Sequence, residues 1–171
     1  MTRFTIITAV ILAFAGCVPS SKLSDELTEI TTTPDQGNQK LEFVFREGEA
    51  FNHPSVAVWT EDMDGEYLET LYVTDFVAKG RFGKGELGPG KWTDIPGEVR
   101  RPASLPYWAH KRNIKAPDGL FIPSPETAVP DAISGATPKA GFKLQTSCNM
   151  ARERKFRILV EVNQAWDSNA F

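Results

Sequence analysis

The sequence predicts a mostly β fold, an antiparallel β-sandwich of the immunoglobulin or fibronectin kind. Three segments alternate apolar with polar residues, which is the period of a strand that buries one face and exposes the other. Two sheets of such strands can bury their apolar faces against each other. The alternating segments are residues 41–47, 141–146 and 156–163.

Residues 55–76 predict two more strands joined by a tight turn. Asp64 and Gly65 lie near the middle of this segment, and both residue types tolerate the positive φ of a hairpin turn. Residues 119–124 are apolar and predict a further short strand. These segments complete the predicted sandwich.

The stretch from residue 79 to residue 115 interrupts the strands as a long central loop. Gly and Pro occur throughout its first half, too often for a long regular element. Only residues 104–112 predict a short helix, with Ser104 as its cap and Pro106 in its first turn. The aromatic residues of the stretch argue against disorder, and ordered loops of this length are usually functional.

The first seventeen residues, MTRFTIITAVILAFAGC, have the pattern of a secretory signal, an early cation followed by an uncharged apolar run. The apolar run is shorter than the roughly 20 residues that a membrane-spanning helix needs. Its end, FAGC, resembles the bacterial lipobox. The resemblance implies that residues 1–16 are a lipoprotein signal peptide and that Cys17 becomes lipidated. The alternative is an ordinary secreted protein.

Three regions follow from this division of the chain. Residues 17–39 comprise the lipidated Cys17 and a flexible polar tether, in which Ser24 can cap a short helix around residues 24–30. Residues 40–171 form a single β-sandwich domain. The lipid anchors this domain to a membrane of the bacterial cell envelope without spanning it. Lipidated Cys17 cannot pair with Cys148, so we expect no intramolecular disulfide.

The distribution of charge is informative for one segment of the chain, whereas the net charge of the whole chain is not. The chain has 19 Lys and Arg, 22 Asp and Glu and a formal net charge of −3, which gives no reason to expect a nucleic-acid partner. Residues 79–115 depart from this balance, with nine Lys or Arg and three acids. Cations beside aromatic rings can receive a phosphate, a flavin or a partner protein, and the alternative is a solvated face. The candidate residues are Arg100, Arg101, Trp108, His110, Lys111 and Arg112.

Neither a metal site nor a catalytic site emerges from the residue pattern. His53 and His110 are the two histidines, and neither has metal-ligand spacing to the other or to Cys148. No nucleophile, base and acid share a recognisable arrangement. The sequence therefore predicts neither a bound metal nor an enzyme.

Four blocks resemble the bacterial domain of unknown function 2271 family, which is described as predicted periplasmic proteins. The resemblance implies a location on the periplasmic or cell-surface side of the envelope and an association with flavin systems. It covers most of the predicted domain, with the blocks in the family's order. The blocks are VAVWTEDMDGEYLETLYVTDF, RRPASLPYWAHKR, DAISGATPKAGF and VEVNQAWDSNAF.

A second resemblance is local. DAISGAT, residues 131–137, is similar to the D-x-x-S/T-G-A-S/T signal at which a periplasmic flavin transferase attaches FMN through a phosphoester bond. The resemblance implies that Thr137 is the acceptor. Gly135 and Ala136 keep the neighbours of that hydroxyl small, and Asp131 and Ser134 can hydrogen-bond the loop backbone. The alternative is a Gly-containing turn before the next strand.

Two hypotheses for the function follow. In the first, the protein is a membrane-anchored extracytoplasmic lipoprotein of a flavin-based electron-transfer system, with FMN held covalently on Thr137. Its partners are then a flavin transferase and membrane redox proteins. A weaker form binds a flavin or a flavoprotein without covalent attachment. In the second hypothesis, the protein is a non-catalytic β-sandwich module with a binding or structural role and no cofactor.

Overall fold

The computed structural model describes most of the chain beyond the first 26 residues. The described residues are 27–32, 37–88, 91–130, 134–135, 138–151 and 153–164. Their strands are β1 Thr28–Thr31, β2 Gln39–Phe45, β3 Ser55–Glu61, β4 Tyr67–Thr74, β5 Arg81–Phe82, β6 Gly85–Gly88, β7 Lys91–Thr93, β8 Gly97–Glu98, β9 Ser134–Gly135, β10 Phe142–Cys148 and β11 Arg157–Asn163. Their helices are α1 Asp75–Lys79 and α2 Pro106–Arg112, with a 3₁₀ turn at Pro125–Thr127.

Two sheets packed face to face confirm the predicted β-sandwich. The first sheet has the order β1-β10-β2 and the second the order β11-β3-β4-β9. The central pairings are antiparallel, as predicted, whereas the edge pairs β1/β10 and β4/β9 are parallel. Residues of both sheets form the core between them: Ile30, Val56, Val58, Leu71, Tyr72, Phe142, Leu144, Cys148 and Met150.

The hairpin predicted within residues 55–76 is present as β3 and β4. Gly65 has a φ of 92° in the turn, and its N–H donates to the carbonyl of Asp62 at 3.3 Å. The Asp62 carboxylate accepts the backbone N–H groups of Glu66 and Asp64 at 2.9 and 3.0 Å. These bonds, the one from Glu66 above all, lower the pKa of Asp62. The turn residues thus stabilise the hairpin in the predicted way.

A further layer covers the outer face of the four-stranded sheet. Every residue of β3 is buried, because its side chains alternate between two apolar clusters on opposite faces. The covering layer contains α1, α2 and the strand pair β5/β8, and the pair β6/β7 adjoins it through the close packing of Gly85 on Gly97. The stretch 79–115 is therefore a folded layer rather than the predicted long loop. Its strands are only two to four residues long, which accommodates the frequent Gly and Pro.

The N-terminal boundary of the domain is earlier than predicted. Residues 28–31 form β1, parallel to β10, where the sequence predicted a tether with a short helix. Ile30 is buried in the core between the sheets, and the Thr32 hydroxyl donates to the carbonyl of Leu71 at 2.7 Å. The β-branched run of Thr and Ile favours a strand over a helix. The sandwich therefore includes residues from the predicted tether.

Residues 119–124 do not form the predicted strand. Arg100 donates from its guanidinium to the backbone carbonyls of Ile122 and Pro123, at 2.9 and 2.5 Å. Those acceptors are therefore satisfied by a side chain, and Pro123 has no N–H to give to a neighbouring strand. Ile122 is buried against the four-stranded sheet, so the segment packs as an apolar loop.

One side of the sandwich is open. Leu41, Phe43 and Phe45 of β2 are only half-buried, although their side chains point between the sheets. On β11, Val160 and Val162 belong to the same interior face but remain exposed. The three-stranded sheet does not reach far enough to cover them. The alternation predicted both strands correctly, but it overestimated their burial.

Neither α1 nor α2 is long or apolar enough to cross a membrane, and the described residues contain no other helix that is.

Candidate functional site

The described part of the DAISGAT motif lies at the edge of a sheet. Ser134 and Gly135 form β9, which pairs in parallel with Val73 and Thr74 of β4 and has no strand described on its other side. The motif residues Asp131, Ala136 and Thr137 lie outside the described residues. The two described residues of the motif therefore lie in an edge strand of the four-stranded sheet.

Gly135 and Pro138, the described residues on either side of Ala136 and Thr137 in the sequence, are both packed against the fold. A Cβ on Gly135 would lie 2.8 Å from the Tyr72 ring and 2.9 Å from Cγ2 of Ile30, so only glycine fits. Pro138 is buried on the other side of Thr137. The Ser134 hydroxyl makes a long hydrogen bond of 3.4 Å to Asp75 of α1, which fixes the strand beside that helix.

A groove of about 340 Å³ opens at the end of the sandwich where β2 and β11 end and β3 and β10 begin, and its lining does not include Ser134 or Gly135. Ala140 and Gly141, which follow Thr137 closely in the chain, form part of its wall. Phe45 and Phe142 stack on each other with ring centroids 4.4 Å apart and face the same space. Most of the lining is apolar, with Arg46, Glu47 and Gln164 as the residues of a polar rim. A groove of this volume with an apolar lining and a few polar residues is typical of sites that take a small organic ligand.

The prediction that Trp108 belongs to an exposed anion or partner surface is wrong. Trp108 is fully buried, and its indole N–H donates to the Thr70 hydroxyl at 2.9 Å. The Arg112 guanidinium lies 4.8 Å from the Trp108 ring, and its Nη1 has no hydrogen-bond partner among the described residues. Burial lowers the pKa of Arg112. Trp108 is therefore hidden from an external anion, and the partly buried Arg112 packs against its ring.

Arg100 and Lys111 are partnered within the fold. Arg100 forms a two-point ion pair with Asp118, with Nε–Oδ2 and Nη2–Oδ1 distances of 2.5 and 3.1 Å. This contact lowers the pKa of Asp118. Lys111 donates to the carbonyl of Gly65 at 2.7 Å and lies 3.5 Å from Oε1 of the buried Glu61. Neither cation is presented to solvent as an unpaired charge.

The remaining two candidates do not restore the predicted anion surface. The Arg101 guanidinium lies 4.4 Å from the Phe82 ring and 5.8 Å from the Trp92 ring. His110 is exposed, with Nδ1 2.7 Å from the carbonyl of Pro106 in its own helix. The six residues therefore do not converge on one surface. The prediction fails because four of the side chains serve packing or internal ion pairs.

Glu161 is a structural residue that the sequence analysis missed. Its carboxylate, on β11, accepts the backbone N–H groups of Trp108 and Tyr107 at 2.7 and 3.1 Å. It therefore caps α2 in place of the predicted cap Ser104, which makes no side-chain bond to the helix. Burial raises the pKa of Glu161 against the opposing effect of these bonds. The alternation gave no signal for this role, because it assigned Glu161 to the polar face of β11, opposite to Val160 and Val162.

Glu61 is a second buried acid that pattern alone did not identify. Its Oε1 accepts the indole N–H of Trp59 at 3.0 Å, and its Oε2 lies 3.4 Å from Nη2 of Arg157. Lys111 completes a ring of donors around the carboxylate. A buried acid surrounded by donors is satisfied, so this cluster links β3, β11 and α2, and removing its donors would leave an uncompensated buried charge.

The histidines and Cys148 give no metal site in the described part of the chain, where no three His, Cys, Asp or Glu side chains cluster. Cys148 is buried in the core between the sheets, and burial raises the pKa of its thiol. His53 lies in an exposed loop with a φ of 45°, its ring 6.2 Å from that of Phe51.

The chain matches no known family model, no curated protein and no solved structure.

Proposed function

We propose that this protein is a lipid-anchored component of the bacterial cell envelope that carries FMN on Thr137 and passes electrons between membrane and soluble redox partners. The observation that supports this most is the setting of the motif. Its described residues, Ser134 and Gly135, form an edge strand, and the chain continues from there into the wall of a groove. An edge allows access to a modifying enzyme, and the groove offers room for a ring.

The attachment is a phosphoryl transfer for which this chain supplies the acceptor. Thr137 Oγ forms a bond to the phosphorus of the FMN half of a flavin dinucleotide. The pyrophosphate P–O bond breaks, AMP leaves with the electron pair, and the hydroxyl proton passes to a base of the flavin transferase. Nothing is oxidised or reduced in this step, and catalysis belongs to the transferase.

The groove provides a place for the isoalloxazine ring. Thr137 precedes the groove residue Ala140 by three positions, which an extended chain spans in about 10 Å. The ribityl phosphate of FMN adds a flexible arm to that distance. The stacked rings of Phe45 and Phe142 offer an apolar wall, and Arg46 at the rim can stabilise the negative charge of a reduced flavin. The protein thus contributes position and electrostatics, and the flavin contributes the redox chemistry.

Co-expression with a flavin transferase tests the proposal. We expect the intact mass to rise by one FMN less one water and the protein band to fluoresce in a denaturing gel. Thr137→Val removes the hydroxyl at nearly constant volume and should abolish both signals. Thr137→Ser, which keeps an acceptor hydroxyl, is the matched control and should retain them. An unmodified mass in the wild type under these conditions would contradict the proposal.

A cofactor-free binding module is the second candidate. The observation in its favour is the exposed interior face of β11, where Ile158, Val160 and Val162 lie uncovered on an edge strand. Such an edge can pair with a strand of another protein. This function requires no flavin, so an unmodified mass together with partner binding through β11 would favour it.

A further inference from the structure

Three large apolar side chains are exposed on one small hairpin. Leu87, Trp92 and Ile95, on β6, β7 and the turn that follows, have exposed fractions of 73, 55 and 71%. The base of the hairpin is well fixed, since the Gly85 N–H donates to the carbonyl of Ile95 at 3.0 Å. Gly85 also packs so closely on Gly97 that an added Cβ would lie 3.1 Å from its Cα. The apolar residues are therefore presented by an ordered support.

The hairpin carries no net charge. Lys84 and Lys91 balance Glu86 and Asp94, and Lys84 lies 3.3 Å from Asp94. An acidic or basic partner would find no complementary field here. The hairpin instead fits an uncharged surface that accepts apolar side chains, with an aromatic ring at its polar boundary.

The hairpin lies towards the groove end of the sandwich. The Trp92 ring is 5.8 Å from the Arg101 guanidinium. Ala103 follows Arg101 by two residues, and its carbonyl accepts a hydrogen bond from the side-chain amide of Asn163 at 2.5 Å. Asn163 pairs with Ser55, at the end of the sheet where the groove opens. A short series of contacts thus connects Trp92 with the groove end.

The N-terminal segment enters the fold at the same end. Leu27 packs so closely on Gly141, a groove residue, that a Cβ there would lie 2.9 Å from Leu27 Cδ2. Thr28 pairs with Phe142 beside it. Leu27 is ten positions after Cys17, so even a fully extended tether spans at most about 35 Å. A lipid on Cys17 would therefore hold the point where the chain enters the fold within about 35 Å of the bilayer.

We propose that the β6–β7 hairpin docks the domain on the bilayer surface, with Leu87, Trp92 and Ile95 in the interfacial region. The inference rests on the lipid anchor of the proposed function and does not depend on the flavin. Trp favours the interface between headgroups and acyl chains. Because the anchor raises the local concentration of the hairpin at the membrane, three apolar residues are enough for a second contact. The groove end, and any flavin in it, then faces the membrane.

Fluorescence quenching by brominated phosphatidylcholine tests this docking in the lipidated protein reconstituted into vesicles and prepared without a flavin transferase. Trp59 and Trp108 are buried, so lipid bromine should quench the emission of Trp92. We expect quenching in the wild type, its loss in Trp92→Phe, and its retention in Trp166→Phe. Because the hairpin is neutral, quenching should be the same at low and high salt.

Several outcomes would overturn the inference. Quenching that persists in Trp92→Phe would show that another tryptophan contacts the lipid. An unquenched wild type would show that the hairpin does not enter the bilayer. Leu87→Gln combined with Ile95→Gln should weaken quenching with an unchanged unfolding midpoint, which excludes a folding defect. Intact mass verifies the lipid in every sample. Thr137→Val should behave like wild type, so failure of flavin attachment and failure of docking give different results.

Discussion

Gly135 and Tyr72 are packed so closely that a methyl group on Gly135 would lie 2.8 Å from Cε2 of the Tyr72 ring. Tyr72 is fully buried, and its ring cannot retreat without disturbing Phe142, 5.7 Å away. The glycine that the FMN-attachment signal requires is thus also required by the sheet. Burial raises the pKa of the Tyr72 phenol, so this ring remains neutral.

Gly135→Ala should destabilise the protein by about 1–3 kcal/mol, because the added methyl overpacks a closed site. Chemical denaturation measures the difference. Gly83→Ala is the matched control, since nothing lies within 4 Å of its added Cβ, and it should cause no loss. Equal stability of Gly135→Ala and wild type would show that the edge strand does not pack as described.

Arg100→Ala should cost about 1–3 kcal/mol, because it removes the side-chain donor to the carbonyls of Ile122 and Pro123 and the ion-pair partner of Asp118. Arg81→Ala removes an exposed arginine from the same layer and should change stability by less than about 0.5 kcal/mol. Denaturation midpoints of the two variants provide the comparison. If both variants lose equally little stability, the hydrogen bonds and ion pair of Arg100 do not stabilise the fold.

Glu161 makes stability depend on pH. The pKa of Glu161 is raised in the folded chain. At a pH above the ordinary Glu pKa of about 4.3, the folded state therefore binds a proton more readily than the unfolded state does. The contribution of this group is therefore fully present below that value and is lost as pH rises through the folded pKa. Glu161→Gln keeps an acceptor for α2 and should remove this pH dependence.

Denaturation midpoints of wild type and Glu161→Gln across acid to neutral pH measure the effect. The advantage of Gln over Glu should grow as pH rises. Glu161→Ala leaves two helix N–H groups without an acceptor and should cost about 0.5–2 kcal/mol at every pH. A difference between wild type and Glu161→Gln that does not change with pH would contradict the assignment.

Thiol labelling reports on both cysteines. Cys148 is buried and its thiol pKa is raised, so it should not react with a thiol reagent in the folded protein. The proposed lipidation would consume the thiol of Cys17. The mature protein from membranes should therefore show no reactive thiol when folded and one when unfolded. One reactive thiol in the folded state would mean that Cys17 is free.

Alternation predicted the strands of the sandwich well, because each of these strands has one face directed to the core. The hairpin at Gly65 was also predictable, since its turn chemistry is local. The strand β1 was missed, because a short polar segment reads as a tether until its partner β10 is known. The strand predicted at residues 119–124 was wrong for the same reason, a partner that is distant in sequence. Arg100 donates to the carbonyls of Ile122 and Pro123.

The anion surface failed for a related reason. Sequence neighbours of Trp108 on α2 point in different directions, and the residues that neutralise them come from elsewhere in the chain. Lys111 finds Glu61 on β3, and the helix itself is capped by Glu161 on β11. Composition shows that a segment is basic, but only the packing shows whether its charges are free. The groove has no sequence signal either, since four separate strands contribute to it.

Protein isolated from the membranes of its own cells gives the most direct test of the central claim. Trypsin should release residues 116–139 as one peptide containing the whole motif, and mass spectrometry locates any modification within it. We predict FMN on Thr137 in this peptide and lipid on Cys17 in the N-terminal one. A lipidated protein whose Thr137 is unmodified, in cells that make an active flavin transferase, would contradict the flavin-carrying function.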